Sequence, residues 1–248
     1  MNKVRLGCWI DLPSPQVAEI VAGTGFDYGV IDLEHGAINV ETASLMMLAL
    51  QANGVKAIAR LPDQSEAWIK RMLDAGADGL IVPRVESASE AKAIIAHARY
   101  APLGQRGEGL PVARASAYGR KSPAYRAKWQ SEPYLAMQIE SDAGYKAVEE
   151  IAAVKGVTQL FFGPSDYSAS LNVDIGDAAV LAAEKGVAEV AAAHGQTAGS
   201  IVLGAGQVTR LARSGYADIA VAADIINLVA ALDGALAQAK QDVADAAK

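Results

Sequence analysis

The sequence predicts an α/β protein folded as a (β/α)8 barrel, the TIM-barrel architecture, on three observations. Short β-branched runs alternate with longer Ala-rich segments of helical period along almost the whole chain, the pattern of βαβ units around a parallel sheet. Eight such runs fit within 248 residues. α/β barrels take this length as one domain, so residues 1–248 are expected to form a single barrel. Polar residues gather at the ends of several runs and no GxGxxG follows the first, which places an open doubly wound sheet second.

The expected strands, in order, are residues 5–10, 28–33, 55–60, 79–83, 135–140, 159–163, 197–202 and 218–222. Segments such as Ala67-Trp68-Ile69-Lys70-Arg71-Met72-Leu73 and Val208-Thr209-Arg210-Leu211-Ala212-Arg213 carry the helical period between them. Helix exits repeat a signature of Gly, one or two residues, Asp, then strand: Gly25-Phe26-Asp27, Gly76-Ala77-Asp78 and Gly215-Tyr216-Ala217-Asp218. In each copy the Gly suits a left-handed residue that ends a helix. Residues 100–130 break the rhythm. They are rich in Arg, Gly, Ser and Pro and read as a long functional excursion.

Composition excludes several classes. Hydrophobic residues make up 52% and charged residues 20%, so the chain can bury a large core and is not disordered. A net charge of −6 argues against nucleic acid and anionic membrane surfaces, which demand basic patches. No apolar run approaches the roughly 18 residues of a membrane span, and the first residues match neither a signal nor a transit peptide. A soluble cytoplasmic protein is expected. Cys8 is the single cysteine, which excludes an intramolecular disulfide and a CxxC site. With His35, His97 and His194 as its three histidines, the chain has little scope for a polyhistidine metal site.

In a barrel the chemistry sits at the C-terminal ends of the strands. There the predicted strands deliver His35, Arg60, Gln138, Glu140 and Asp166, residues that a core avoids because unpaired buried charge is costly. Glu140 and Asp166 come from adjacent strand ends and suit a hard divalent cation. Arg60 offers a planar fork for a substrate carboxylate. His35 is the one plausible imidazole base, and Asp74, at the end of the following helix, is a candidate to orient it. His97 reads as a helix-surface residue, His194 as a helix C-terminal one, and Cys8 as a small buried apolar group. Gly204-Ala205-Gly206 reads as a turn rather than an anion cradle. No lysine lies near a strand end (Lys56 is at the wrong end), so metal-assisted enolisation is preferred over a Schiff base.

These residues resemble a known family. Asp32-Leu33-Glu34-His35-Gly36, Arg60, Lys70-Arg71-Met72-Leu73-Asp74-Ala75-Gly76, Arg106-Gly107, Gln138-Ile139-Glu140 and Gly163-Pro164-Ser165-Asp166 look like the HpcH/HpaI aldolases, class II metal-dependent pyruvate aldolases. The likeness spans nearly the whole chain in the right order. It implies a (β/α)8 barrel in a homo-oligomer, a trimer or a hexamer with the last helix swapped, for which residues 230–247 are the candidate. It implies Glu140 and Asp166 as ligands of Mg²⁺, Mn²⁺ or Co²⁺, His35 with Asp74 as the catalytic pair, and Arg60 on pyruvate. Gln138 would lie beside the metal, the backbone near Ser165 and Asp166 would hold the carboxylate, and Trp9 and Ile201 would form pocket wall. The chain departs from better-known members at Leu33, in the loop after Asp166 and in Ala220-Val221-Ala222-Ala223-Asp224, where a Gly is usual, which leaves the aldehyde unspecified.

The activity implied is reversible cleavage of a 2-oxo-4-hydroxy acid to pyruvate and an aldehyde through a metal-stabilised enolate, with small oxo acids and aldehydes as partners. A CoA-ester lyase of the citryl-CoA type is one alternative, with Arg106, Arg114 and Arg120 as candidates for the CoA phosphates. A non-catalytic barrel that binds an oxo acid is another.

Overall fold

The computed structural model describes residues 3–131, 133–202 and 206–247. Eight parallel strands close into a barrel in sequence order, and the last pairs back with the first. They are β1 (Arg5–Ile10), β2 (Tyr28–Asp32), β3 (Lys56–Arg60), β4 (Gly79–Val82), β5 (Leu135–Ile139), β6 (Gln159–Phe162), β7 (Thr197–Ile201) and β8 (Tyr216–Ala223). The helices are α1 (Pro15–Gly23), α2 (Val40–Ala52), α3 (Glu66–Ala75), α4 (Ala88–Ala98), α5 (Ser122–Ser131), α6 (Asp142–Lys146), α7 (Val148–Ala152), α8 (Pro164–Leu171), α9 (Ala178–Ala193), α10 (Gln207–Arg213) and α11 (Asp224–Ala246). All eight expected strands form. β8 starts at Tyr216, ahead of the expected residue 218, because a register shift between Ala198 and Gly199 lets Tyr216 pair with Ala198.

Local chemistry sets the helix boundaries. Ser14, Asn39, Ser87, Ser141 and Asp177 each precede a helix and accept a bond from a backbone N–H of its first turn, satisfying donors that the helix leaves unpaired. Gly25, Gly76 and Gly215 have φ of +95°, +98° and +100°, as the repeated helix-exit signature predicts.

Two apolar layers carry the fold. Strand residues facing outward, such as Ile31, Leu80, Met137 and Leu160, pack under the helices in one large cluster. Those facing inward, Trp9, Tyr28, Val30, Ile58, Ile81, Ala136, Phe161 and Ala220, fill the barrel. Because side chains alternate along a strand, the polar residues that follow the inner set also point inward. At the N-terminal end the bore is closed by a buried polar cluster. Asp218 accepts from Arg5 Nε and Nη2 at 2.5 and 2.6 Å, from Gln159 Nε2 at 2.5 Å and from the Tyr134 hydroxyl at 3.3 Å. The C-terminal end stays open.

Two segments depart from a simple barrel. Residues 100–130 connect α4 to β5 and so lie at the N-terminal end, away from the catalytic face. They pack on α2 and α3 through Arg106, which is buried, and through Arg114, which donates to Ala75 O at 2.8 Å and to Gln51 Oε1 at 2.6 Å. Among the described residues, none of this expected functional excursion lines the cavity at the C-terminal strand ends. α11 starts earlier than expected, at Asp224, and none of its residues is buried. Ile225, Leu228, Val229, Leu232 and Leu236 are exposed along it.

Candidate active site

The inward alternation continues past the apolar layer and makes the site. Val30 is followed by Asp32, Ile58 by Arg60, Ala136 by Gln138 and then Glu140, and Phe161 by Gly163. The cavity above these residues measures about 700 Å³, within the range of small-molecule sites. Trp9, His35, Arg60, Gln138, Ser165, Asp166 and Ile201, all anticipated from sequence, line it.

Arg60 is 6% exposed and its fork is already engaged. Nε and Nη2 donate to Asp32 at 2.9 and 2.5 Å, and Nη1 lies 3.0 Å from Glu34 Oε2. The Trp9 ring sits 4.9 Å from the guanidinium carbon and its Nε1 donates to Asp32 at 3.1 Å. Burial disfavours the Asp32 carboxylate, but the Arg60 bonds outweigh it and hold its pKa at about 2. Asp11 is pushed the other way, to about 7, by burial, by its hydrogen bond with Asp32 and by the charges of Asp32 and Asp224. The fork expected to meet a substrate carboxylate is thus already occupied on its Nε–Nη2 edge by Asp32, and the guanidinium is a fixed cation at the cavity wall.

Glu140, 4% exposed, accepts from the Arg84 backbone N–H at 2.7 Å and from Gln138 Nε2. Arg84 adopts a left-handed backbone, φ +49°, an uncommon conformation for a residue with a side chain. Burial pushes Glu140 up to about 7, with the charges of Glu34 and Asp166 adding to the rise and the Arg84 N–H and Arg60 opposing it. Burial also raises Glu34, despite Arg60 and His35, with Asp32 and Asp166 adding to the rise. Gly163 leaves room for this cluster. A Cβ there would lie 2.9 Å from Glu140 Cβ and Oε2 and 3.1 Å from Gln138 Nε2, closer than real contacts allow.

The site fits a divalent cation. Buried Glu140 feels the charges of half-buried Glu34 and exposed Asp166, and carboxylates that repel one another favour a positive partner. Gln138 Oε1 is buried with no hydrogen-bond partner, an acceptor left for a ligand in the cavity. The donors are hard oxygens. Among the described residues no group of three His, Cys, Asp or Glu side chains is placed to hold a metal ion; an ion held by the two carboxylates Glu140 and Asp166 alone would keep its other positions for water or substrate.

Asp74 does not join the site. Helices run antiparallel to the strands, so the last turn of α3 lies at the N-terminal end of the barrel, just before β4. There Asp74 pairs with Arg106 Nη2 at 2.5 Å and lines a second, outer cavity between α2, α3 and the 100–130 segment. His35 stays at the rim of the first cavity, its side chain 64% exposed and 4.0 Å from Glu34. Within one chain, then, Asp74 does not orient His35.

The remaining residues follow expectation more closely. His97 is half-buried on α4, His194 caps α9 and contacts Glu149 at 3.0 Å, and Cys8 is buried with its thiol pushed up to about 12 by burial. Gly204 and Ala205, the body of the expected turn, lie outside the described residues. The arginines weighed for CoA phosphates are committed elsewhere: Arg106 to Asp74, Arg114 to Gln51 and Ala75, and Arg120 to Ala117 O. Sequence reasoning did not single out Asp11, Asp32, Glu34 or Arg84. The period-two pattern carried a signal for Asp32, two positions after inward Val30. The Arg84 contribution comes from its backbone and leaves no residue-type signal.

Comparison with known proteins agrees with this geometry. The chain is 36% identical over 241 residues to the hydroxypyruvate/pyruvate aldolase of Roseovarius nubinhibens, covering 96% of this chain and 93% of the relative. It is 33% identical over 250 residues to the 5-keto-4-deoxy-D-glucarate aldolase of Klebsiella pneumoniae, covering 100% and 93%. A solved HpcH/HpaI aldolase/citrate lyase family protein from Burkholderia cenocepacia superposes with a TM-score of 0.89 at 30% identity, covering 96% of this chain and 95% of that one. The family model described as HpcH/HpaI aldolase/citrate lyase matches residues 5–231, so the chain belongs to that family.

Proposed function

We propose that the protein is a class II pyruvate aldolase, a carbon–carbon lyase that reversibly cleaves a 2-oxo-4-hydroxy acid to pyruvate and an aldehyde. The observation that carries the reading is buried Glu140 bonded to Gln138, which lines one cavity together with exposed Asp166 and the fixed Arg60 guanidinium. Glu140 and Asp166 would hold Mg²⁺, Mn²⁺ or Co²⁺. When bound, such an ion supplies a Lewis acid for the oxo group and for the charge that develops on enolisation.

The chain's own residues do the rest. Gln138 fixes Glu140 and presents Oε1 to the cavity. Arg60, held by Asp32 and Glu34, stabilises negative charge on the substrate oxygens at no cost in reorganisation. The backbone N–H groups of Ser165 and Asp166, in the uncapped first turn of α8, are placed to bind the carboxylate. Trp9 and Ile201 exclude water from the reacting carbons. His35 at the rim moves the proton of the aldol hydroxyl through water.

Asp74 orients His35 only across two copies, because one chain holds it at the opposite end of the barrel. The exposed apolar residues of α11 support such a homo-oligomer, a trimer or hexamer in which α11 packs on a neighbour. A cytoplasmic location fits this chemistry, and no helix among the described residues is long and apolar enough to cross a membrane.

The test is exchange of the pyruvate methyl protons in D2O, followed by NMR with no aldehyde present. The exchange should require the divalent ion and be lost in Arg60→Ala. Normal exchange in Arg60→Ala, or in chelator-treated protein, would remove the basis of the reading.

A further inference from the structure

The cavity has an outer half that, apart from Ile201 at its boundary, this chemistry does not use. Its wall is aliphatic: Ile175 from the α8–α9 connection, Val180 and Leu181 from α9, and Ile201 and Val202 at the end of β7. Among the described residues of this half, the cation is Arg210 of α10, and its charge is already matched. Glu184 of α9 grips it at two points, with Nη2 donating to Oε2 at 3.2 Å and Nη1 contacting Oε1. Glu184 is 3% exposed, and its carbonyl accepts the Tyr216 hydroxyl at 2.8 Å, which ties the acid to β8. The Arg210 side chain, by contrast, remains 39% exposed and lines the cavity.

We propose that this outer half is the aldehyde subsite and that it selects uncharged aldehydes with a short apolar chain over aldehydes bearing a carboxylate. The inference rests on the aldolase reading and adds the substrate class. An alkyl tail gains by leaving water against Ile175, Leu181 and Ile201. A second carboxylate would have to leave water for an aliphatic wall and compete with buried Glu184 for Arg210, whose half-buried guanidinium the acid already contacts at two nitrogens. The Glu184–Arg210 pair therefore sets specificity: it keeps the compartment neutral.

The experiment compares kcat/KM for aldol addition of pyruvate to propanal and to succinic semialdehyde, with Mn²⁺ present throughout. The native protein should favour propanal by at least about tenfold. Glu184→Gln frees the guanidinium and should shift the ratio toward the semialdehyde by about tenfold or more. Arg210→Gln leaves the acid unmatched and should shift it the other way. The double variant Glu184→Gln/Arg210→Gln is neutral again and should return to the native ratio even if the overall rate falls, a pattern that mere packing damage does not produce. A native preference for the semialdehyde overturns the subsite, as does an unchanged ratio in a folded Glu184→Gln protein. Loss of reaction with both aldehydes in the native protein, together with absent methyl exchange, overturns the aldolase reading itself.

Discussion

Replacing Glu140 by glutamine separates the cost of this buried carboxylate from its use. In the metal-free protein the acid is 4% exposed and its pKa stands at about 7 instead of 4.5. At about 1.4 kcal/mol for each tenfold change in proton affinity, the ionised form costs the fold about 3–4 kcal/mol. The folded state binds this proton more tightly than the unfolded state. The penalty is therefore absent below pH 4.5, grows as pH rises and is complete above about 7. Glutamine removes the charge and keeps the acceptor for the Arg84 N–H. The Gln138 amide can turn so that its orphaned Oε1 accepts from the new side chain. Thermal melts in EDTA should give a Glu140→Gln protein matching the native one near pH 4.5 and several degrees more stable at pH 8. The same variant should bind Mn²⁺ at least about 100-fold more weakly by calorimetry, a magnitude set by loss of one of two charged ligands. Equal or lower stability of the variant at pH 8 in EDTA would refute the idea that the empty site is electrostatically strained.

Asp32 has the opposite sign: its pKa falls from 3.8 to about 2, so its stabilisation holds above pH 4 and fades as pH falls through 2, and Asp32→Asn should cost about 2 kcal/mol at pH 7 in urea titrations. Mixed and refolded His35→Ala and Asp74→Ala chains should recover part of the activity that each lacks alone, because a mixed oligomer reassembles one intact pair; no recovery would place Asp74 outside the chemistry. Gln64 Nε2 donates to Pro83 O at 3.2 Å and Arg84 O at 2.7 Å, bracing the left-handed residue whose N–H meets Glu140; Gln64→Ala should weaken Mn²⁺ binding several-fold while leaving the melting temperature within a few degrees. Asp218→Ala, at the closed end of the barrel, leaves Gln159 and Tyr134 without their acceptor and Arg5 without its pair, and should cost about 1–3 kcal/mol in denaturant without changing KM for pyruvate.

The fold was legible because period-two runs, helical runs and Gly-x-Asp exits agreed with one another along the chain. The inward half of the site was legible for the same reason: Arg60 and Gln138 stand two positions beyond apolar inward residues. Arg60's engagement was not. Its partners Asp32 and Glu34 sit 28 and 26 positions earlier, and only the closed β2–β3 register sets Asp32 beside it. Asp74 was misplaced for a reason that topology already contained, since the end of a helix in such a barrel lies opposite the end of its strand. A family likeness pairs residues without saying whether one chain or two supply them.

The measurement that tests the central claim most directly is pyruvate release from a 2-oxo-4-hydroxy acid by protein dialysed against EDTA, before and after metal is restored. The stripped protein should release none, Mg²⁺, Mn²⁺ or Co²⁺ should restore release, and Glu140→Gln should not recover. Full activity in the stripped native protein would contradict that claim.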